Sequence, residues 1–237
     1  MKRFYISQDE FNNKIITGDE FNHIKNVMRL KEGDEFIAFF GDDFDYECEI
    51  ETIKKNCLEF KILNKIKNTK NPLIVLDIFQ SLAKGEKMEL ITQKATEMGV
   101  STIFPLYVKN CDVKPNSNKP ERLRKIVVNA CKQCGRSNIP TITDIITFND
   151  SIKLLKKYDL VVFANETEKA SRVYDLLEKH KSAKKIAVII GPEGGFTPEE
   201  INIFSTEAFS VSLGSRILRT ETAAIYLSSI INDFYRN

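Results

Sequence analysis

The sequence predicts an α/β protein of two domains, a small β-barrel over residues 1–70 and a larger α/β domain over residues 71–237. The first domain contains short stretches in which apolar and polar residues alternate, the period of a strand with one buried face. After the polar segment KIKNTKNP (residues 65–72), near-continuous apolar runs alternate with helical patterns. That alternation is typical of a mostly parallel sheet covered by helices.

The clearest strand of the first domain covers residues 44–52, where even positions are mostly apolar and odd positions are acidic. We interpret this acidic stripe as a solvated face of the strand. The members of the stripe are Asp45, Glu47, Glu49 and Glu51. A turn at residues 54–56 precedes a second alternating strand at 58–62. With an apolar run at 36–40 and a short helix at 20–27, these strands predict a small barrel.

The second domain alternates strands and helices to its end. Strands are expected at residues 73–79, 102–108, 160–164, 186–190 and 209–213. Helices are expected at residues 85–98, 120–134, 170–180, 197–206 and 220–235. The apolar runs of the strands indicate burial on both faces of the sheet.

The bulk composition narrows the class of protein. The chain has 237 residues, 42% of them hydrophobic, and a net charge of +2. No apolar stretch approaches the roughly 20 residues of a membrane span, and MKRFYISQDEF at the N-terminus lacks the apolar region of a signal peptide. We therefore expect a cytoplasmic protein without membrane contact, whose five cysteines are free thiols. Any RNA binding must use a local cluster of lysine and arginine, because the net charge is small.

A glycine-rich segment, IGPEGGFTPEE (residues 190–200), connects a predicted buried strand to a predicted helix. Thr197 as N-cap, Pro198 at the first helical position and Glu200 two residues later form a capping-box signature. Glycines let the backbone approach a ligand closely, and open α/β sheets bind ligands at such strand ends. The segment has neither the P-loop nor the dinucleotide spacing. Its residues leave open a ligand site or a structural turn.

A second segment, SLGSRILRTETA (residues 212–223), repeats this organisation of strand end, glycine, loop and helix. Arg219 and Glu221 flank the start of the predicted helix. A glutamate in the first turn suits the helix dipole, whereas an arginine at a helix N-terminus is electrostatically unfavourable. The position of Arg219 therefore indicates a functional role.

These two segments and three upstream segments resemble the 16S rRNA uridine-N3 methyltransferases, the RsmE family of the SPOUT superfamily. HIKNVMRL (23–30) with Gly33-Asp34 is similar to the family signature H-x-x-x-V-x-R-x-x-x-G-D. GEKMELITQKATEMGV (85–100) resembles its K-x-x-x-x-x-x-K-x-x-E-L-G-V helix, with Met98 in place of leucine. ACKQCGR (130–136) resembles its E-Q-x-x-R segment, with Lys132-Gln133 in place of Glu-Gln. The matches occur in order along nearly the whole chain.

The resemblance implies an N-terminal PUA-like RNA-binding barrel and a C-terminal SPOUT α/β domain with a deep trefoil knot, in a homodimer. It implies S-adenosylmethionine as cofactor, with no metal, and the small ribosomal subunit as partner. The residues expected to bind the cofactor are Ala164, Asn165, Glu166, Ile190, Gly191, Pro192, Glu193, Gly194, Gly195, Leu213, Gly214, Ser215, Ile217, Leu218, Arg219 and Ala223.

Methylation of uracil N3 requires an unpaired base and loss of the imide proton. We expect Arg219 to stabilise negative charge on the uracil oxygens. Glu221 or Glu97 is expected to accept the proton or to hold an arginine, although Glu97 is equally well explained as a solvated helix charge. Arg136 is expected to contact a phosphate or the base. These four residues are the predicted catalytic set.

RNA contacts are expected from residues near the helix of the barrel and the strand–helix turns. They are Lys2, Arg3, His23, Lys25, Arg29, Lys84, Lys87, Arg122, Arg124, Lys125 and Arg136. His23 and Arg29 also have purely structural explanations. Cys131-x-x-Cys134 is interpreted as ordinary helix thiols, because no second Cys/His pair completes a zinc site.

Two other functions stay open at this stage. One is a SPOUT ribose 2′-O methyltransferase, and the other is a non-catalytic RNA-binding factor of ribosome assembly. The ribose enzymes usually carry an S-L-N-x-S segment where this chain has Leu213-Gly214-Ser215-Arg216, a departure that favours base methylation. An unrelated nucleotide-binding enzyme is disfavoured by the missing phosphate-loop motifs.

Overall fold

The computed structural model describes residues 1–115 and 119–236. The chain forms two compact units, of which unit 1 comprises residues 1–71 and 128–139 and unit 2 comprises residues 72–127 and 140–237. The single boundary predicted from the sequence lies between residues 70 and 71. Residues 128–139 group with the first unit, which was not predicted.

Unit 1 is built on one five-stranded sheet. Its strands are β1 (Lys2–Tyr5), β2 (Ile15–Thr17), β3 (Glu35–Phe39), β4 (Phe44–Ile53) and β5 (Cys57–Lys67). Its first three helical segments are α1 (Gln8–Asn13), α2 (Gly18–Asn22) and a π-helix (His23–Val27). The strand order is β1-β3-β4-β5-β2, with β1 and β3 parallel and the other neighbours antiparallel.

The apolar side of this sheet forms the core of unit 1. Tyr46, Cys48 and Ile50 alternate along β4 and are buried, as the period of two predicts. The rings of Phe36 and Phe60 pack edge to face with centroids 5.8 Å apart. The helix predicted at residues 20–27 is present in two parts, α2 and the π-helix.

One member of the acidic stripe of β4, Asp45, differs from the solvated face expected from the sequence, whereas Glu51 is exposed as expected. Asp45 accepts two hydrogen bonds from Arg3, at 2.8 and 2.9 Å, and one from Asn68 Nδ2 at 2.9 Å. Ser137 also donates to it. Asn71 Oδ1 accepts from the backbone N–H of Ser137 at 3.0 Å. These contacts join residues 128–139 to unit 1, and they arise between residues too far apart in sequence for a periodicity argument to detect.

Unit 2 contains the parallel sheet. Its strands are β6 (Val75–Ser81), β7 (Thr102–Tyr107), β8 (Thr141–Ile142), β9 (Ile146–Thr147), β10 (Leu160–Ala164), β11 (Lys185–Ile190) and β12 (Phe209–Val211). Its helices are α3 (Lys87–Glu97), α5 (Phe148–Leu155), α6 (Val173–Lys179), α7 (Pro198–Glu207) and α8 (Thr220–Tyr235). The helix α4 (Lys119–Cys134) begins in unit 2 and ends in unit 1.

The sheet of unit 2 has the order β12-β10-β11-β6-β7-β8, with β9 also paired to β7, and every recorded pairing is parallel. Strand β6 starts two residues later than predicted, and Leu73 is 71% exposed. Helix α5 was not predicted, although Thr147 and Asp150 form a capping box at its start. The parallel arrangement places the carboxyl ends of β10, β11 and β12 at one edge of the sheet, where α/β proteins bind ligands.

Candidate functional site

A cavity of about 810 Å³ of empty space, solvent at its mouth included, opens at the carboxyl ends of β10, β11 and β12. Three loops surround it, one after each strand. The lining includes Asn165 and Glu166 after β10, Gly191 and Gly195 after β11, and the segment 212–218 after β12. Thr220 and Ala223 of α8 complete the wall. Its position and its glycine-rich walls suit a small organic ligand.

The loop after β11 is held by well-defined local contacts. Thr197 accepts a hydrogen bond from the N–H of Glu200, whose carboxylate accepts from the N–H of Thr197, so the predicted capping box is confirmed. Gly195 has φ +68°, a left-handed conformation that favours glycine. Its N–H donates to the carbonyl oxygen of Pro192 at 3.0 Å and closes the turn.

A hydroxyl group connects this loop to the start of α8. Thr220 Oγ1 donates to the carbonyl oxygen of Gly191 at 2.6 Å and accepts from Gln80 Nε2 at 2.9 Å. Gln80 lies at the end of β6 and is fully buried. Since Thr220 lines the cavity, this chain of hydrogen bonds sets the spacing between two of its walls.

The loop after β12 is more open to solvent. Gly214 has φ +113°, which disfavours any side chain. Ile217 is 81% exposed although it lines the cavity. An exposed apolar side chain beside a ligand cavity is suited to cover an apolar part of the ligand once that ligand binds.

Most of the predicted cofactor residues line this cavity. Those that do are Ala164, Asn165, Glu166, Ile190, Gly191, Pro192, Gly195, Leu213, Gly214, Ser215, Ile217, Leu218 and Ala223. Glu193, Gly194 and Arg219 do not. Glu193 instead accepts hydrogen bonds from the N–H of Lys84 at 3.1 Å and from Lys87 Nζ at 2.8 Å. A Cβ atom added at Gly194 would lie 2.9 Å from the carbonyl oxygen of Asn110, so close packing explains that glycine.

Several residues of the site were not predicted from the sequence. Lining residues outside the predicted set are Phe163, Glu168, Lys169, Phe196, Ile201, Ser212, Arg216 and Thr220. Three of them lie in the segment 212–223 already identified from the sequence, so including every residue of that segment would have predicted them. They are Ser212, Arg216 and Thr220. No sequence signal indicates Gln80, which donates to Thr220, or Asn110, which reaches the loop after β11 from the segment after β7.

The predicted catalytic residues of unit 2 differ in their surroundings. Arg219 is the N-cap of α8, exposed, and its side chain forms no hydrogen bond or ion pair with a described residue. Glu221 is half-buried, and its Oε2 atom is buried without a hydrogen-bond partner among the described residues. Glu97 on α3 forms an ion pair with Lys94 at 2.9 Å. The start of α8 thus carries an exposed guanidinium on Arg219 and a buried carboxylate oxygen without a hydrogen-bond partner on Glu221.

Arg136 does not lie where the sequence analysis expects it. It belongs to unit 1, is only 2% exposed, and donates a hydrogen bond to Asn138 Oδ1 at 2.9 Å. Burial lowers the pKa of its guanidinium. A side chain so enclosed has no surface for a phosphate or a base, so the expected direct RNA contact by Arg136 is not available in this structure.

Some of the predicted RNA-binding residues of unit 1 are engaged in contacts within the unit, and others are available to an anion. The Arg3 guanidinium already forms an ion pair with the Asp45 carboxylate. The ring of His23 packs edge to face on Phe4 with centroids 5.7 Å apart, a structural role. Lys2 and Lys25 each donate to a backbone carbonyl oxygen, and Arg29 is exposed with φ +55°. The latter three have no carboxylate partner among the described residues and stay available to an anion.

In unit 2, the cations expected to bind RNA are mostly paired with carboxylates. The pairs are Lys84–Asp112, Lys87–Glu193, Arg122–Glu89 and Arg124–Asp144, at 2.8, 2.8, 2.8 and 3.4 Å. Lys125 is exposed. A surface of balanced pairs attracts phosphate less strongly than free cations do, because each lysine or arginine is already neutralised.

The cysteines form free thiols. Burial raises the pKa of the Cys131 thiol to about 12, so Cys131 itself is not a reactive thiolate. Within residues 1–115 and 119–236, no group of three or more His, Cys, Asp or Glu side chains is arranged to hold a metal ion. The same ranges contain no helix long and apolar enough to span a bilayer.

Comparison with known proteins places this geometry in a family. Residues 69–232 match the family model of an RNA methyltransferase domain, and residues 16–63 match that of an RNA methyltransferase PUA domain. Ribosomal RNA small subunit methyltransferase E of Bacillus subtilis is 32% identical over 226 residues, covering 92% of this chain and 88% of that protein. The chain belongs to the ribosomal RNA small subunit methyltransferase E family. The relative of the same name from Rickettsia conorii is 36% identical, covering 94% and 91%.

One solved structure of a methyltransferase E contains S-adenosyl methionine. The protein from Neisseria gonorrhoeae, bound to S-adenosyl methionine, is 26% identical to this chain with a TM-score of 0.84, covering 99% of this chain and 98% of that one. The α/β unit therefore has the SPOUT methyltransferase fold, and the N-terminal unit is PUA-like, as predicted.

Proposed function

We propose that this chain methylates N3 of a specific uridine in 16S rRNA of the small ribosomal subunit, with S-adenosylmethionine as methyl donor. The observation that carries the proposal is the cavity with two glycine-bearing walls at the carboxyl edge of the parallel sheet, in a member of the methyltransferase E family. The names of the relatives support a ribosomal RNA substrate. The departure from the S-L-N-x-S segment at residues 212–216 supports a base as the acceptor.

The cavity residues fit S-adenosylmethionine. Ile190, Leu218 and Ala223 offer apolar surface for a nucleoside, and the glycine backbones permit close approach of its polar edge. Glu166 and Glu168 bring carboxylates to the same cavity, which suit the ammonium and sulfonium charges. When bound, the donor supplies an already activated methyl group. The protein then has to position the acceptor base and to handle its proton and charge.

The start of α8 supplies groups suited to these tasks. The exposed Arg219 guanidinium can stabilise the negative charge that develops on the uracil oxygens as N3 loses its proton. Glu221 Oε2 is a carboxylate oxygen without a partner among the described residues, two positions further along. It is our candidate for the proton acceptor. Because Glu97 is already paired with Lys94, we assign it a role in positioning a neighbouring group and not in accepting the proton.

We further propose that the protein acts as a homodimer in the cytoplasm, on the assembled small subunit. Leu90 on α3 and Tyr226 on α8 are 41% and 44% exposed, and the two helices pack against each other. Such an apolar face on neighbouring helices is suited to contact a second copy. Sedimentation of the purified protein tests this, since a monomer at micromolar concentration would contradict it.

The test of the proposed reaction compares 16S rRNA from cells with and without this protein. We expect 3-methyluridine in wild-type rRNA and its loss in the deletion strain, detected by nucleoside mass spectrometry. Reverse transcription should locate the site, because a methyl at N3 blocks base pairing. Loss of a 2′-O-methyl nucleoside instead would assign the ribose reaction. An unchanged modification pattern, together with no binding of S-adenosylmethionine in calorimetry, would leave only an RNA-binding role.

A further inference from the structure

The segment that follows β7 packs against the loop after β11. Asn110 Nδ2 lies 3.3 Å from the carbonyl oxygen of Gly194 and 3.2 Å from that of Gly195. Asn110 is not among the residues that line the cavity. Its contact is therefore with the backbone of the cavity wall and not with the space that a ligand would occupy.

The geometry fixes which end of the Asn110 amide faces the loop. Both neighbours are carbonyl oxygens, which only accept hydrogen bonds, and the NH₂ group has two N–H donors to offer them. The opposite orientation would place three oxygen acceptors together. An aspartate of the same shape would do so permanently and add a charge.

The two segments approach each other too closely for a side chain between them. A Cβ atom at Gly194 would lie 2.9 Å from the Asn110 carbonyl oxygen and 3.2 Å from the Asn110 Cβ. One residue earlier, the N–H of Lys109 donates to Glu200 Oε1 at 3.0 Å. Glu200 also closes the capping box with Thr197. The segment after β7 therefore contacts both the glycine loop and the start of α7.

Two other carbonyl groups of this loop accept hydrogen bonds from donors other than Asn110. Gly191 is held by Thr220, and Pro192 is held by the N–H of Gly195. Asn110 is the side chain that holds the last two glycines of the loop, which lead into Phe196 of the cavity wall. Without it, the left-handed turn at Gly195 would lose its external support.

We propose that Asn110 is a positioning residue for the methyl donor, because it holds the Gly194–Gly195 backbone in the shape that forms one wall of the cavity. The identity of the ligand rests on the proposed function. The role of Asn110 does not, since it concerns the conformation of the loop itself.

Calorimetric titration with S-adenosylmethionine tests this on the full-length protein. Asn110→Asp should raise the Kd about tenfold or more, and Asn110→Ala should raise it by a smaller factor, because water can replace the lost donor. The matched control is Lys109→Ala. The Lys109 side chain is exposed and forms no hydrogen bond with a described residue, acting only as a charge near Glu199. The hydrogen bond to Glu200 comes from its backbone N–H, which the substitution keeps, so the Kd should stay within about twofold of wild type.

Steady-state kinetics and hydrogen exchange separate positioning from general stability. For Asn110→Asp we expect a raised KM for the methyl donor, a kcat within about twofold at saturation, and an unchanged KM for RNA. Backbone amides of residues 194–196 should exchange faster than in Lys109→Ala. If wild type itself fails to bind the methyl donor, the proposed function is wrong, and the exchange experiment still decides the role of Asn110.

Wild-type Kd and wild-type exchange in Asn110→Asp would overturn the proposal. So would a fall in kcat and RNA affinity in parallel with a lower Tm, since that pattern indicates general destabilisation. If Asn110→Asp does not fold, Asn110→Ala and Gly194→Ala replace it. Gly194→Ala perturbs the same contact from the other side, and wild-type Kd in both of these variants would equally exclude the role.

Discussion

At the scale of single residues, Thr220 joins two walls of the cavity through one hydroxyl group. It donates to Gly191 and accepts from the buried Gln80, so its hydrogen and one of its lone pairs are both engaged. Gln80 Nε2 also donates to the carbonyl oxygen of Ser81 at 2.9 Å. The loop after β11 and the start of α8 are therefore tied to the central strand β6.

Replacing Thr220 with valine keeps its shape and removes the hydroxyl group. We expect Thr220→Val to weaken S-adenosylmethionine binding about five- to tenfold and to lower the free energy of unfolding by about 1–2 kcal/mol, because Gln80 and Gly191 each lose a buried partner. Thr220→Ser should retain most of the affinity for S-adenosylmethionine and most of the free energy of unfolding. Calorimetry and urea unfolding measure the two effects, and equal behaviour of the valine and serine variants would refute this assignment.

Arg219 is expected to act on the reaction and not on binding of the methyl donor. Because its side chain neither lines the cavity nor pairs with a described residue, Arg219→Ala should leave the donor Kd within about twofold. Its single-turnover rate should fall about 100-fold. Arg219→Lys keeps the charge but not the forked donors, so its single-turnover rate should lie between those of wild type and Arg219→Ala. A near-normal rate for the alanine variant would remove Arg219 from the catalytic set.

At the scale of elements, the polar network around Asp45 holds together segments that are far apart in sequence. It connects β1 through Arg3, β4 through Asp45, the end of β5 through Asn68, and the segment after α4 through Ser137. Burial by itself would raise the pKa of Asp45. The hydrogen bonds from Arg3, Ser137 and Asn68 outweigh that effect and lower the pKa below its ordinary value of 3.8.

A lowered pKa in the folded state gives a defined pH dependence. The unfolded chain binds the proton at higher pH than the folded chain does, so the stabilisation by Asp45 is complete above its ordinary pKa and is lost as pH falls through the folded value. We expect Asp45→Asn to lower the free energy of unfolding at pH 7 by about 2–3 kcal/mol.

The difference between wild type and Asp45→Asn should shrink as pH is lowered from about 5 to about 3. The control is Glu51→Gln, an exposed acid on the same strand, which should change stability by less than about 0.5 kcal/mol. Urea unfolding across this pH range measures both variants. A pH-independent difference would show that the charge of Asp45 is not what stabilises the network.

At the scale of the whole molecule, RNA attraction depends on which cations are free. Lys25 and Arg29 have no carboxylate partner among the described residues, whereas Lys84 and Arg124 are paired. We expect the double variant Lys25→Ala with Arg29→Ala to reduce the salt dependence of 16S rRNA binding by roughly 1.5–2 in slope. Lys84→Ala with Arg124→Ala, a matched loss of two charges, should reduce it by less than about 1. Equal slopes for both double variants would contradict this division.

Features that depend on neighbours along the chain could be predicted from the sequence. The period of β4, the apolar parallel strands and the capping box of Thr197 and Glu200 are local, because a strand or a helix start is specified by residues within a few positions. The glycine segments were found for the same reason, and with the family resemblance they identified most of the cavity lining.

The distant residues that hold those segments in place could be identified only from the three-dimensional structure. Asn110 reaches Gly194 and Gly195 from the segment after β7, Ser137 reaches Asp45, and Arg136 is enclosed where a free RNA contact was expected. Such contacts depend on how strands are ordered in space and on which side chains that order buries. No period or spacing along the chain encodes them. Most residues that line the cavity could therefore be predicted from the sequence and the family resemblance, but the residues that support its walls could not.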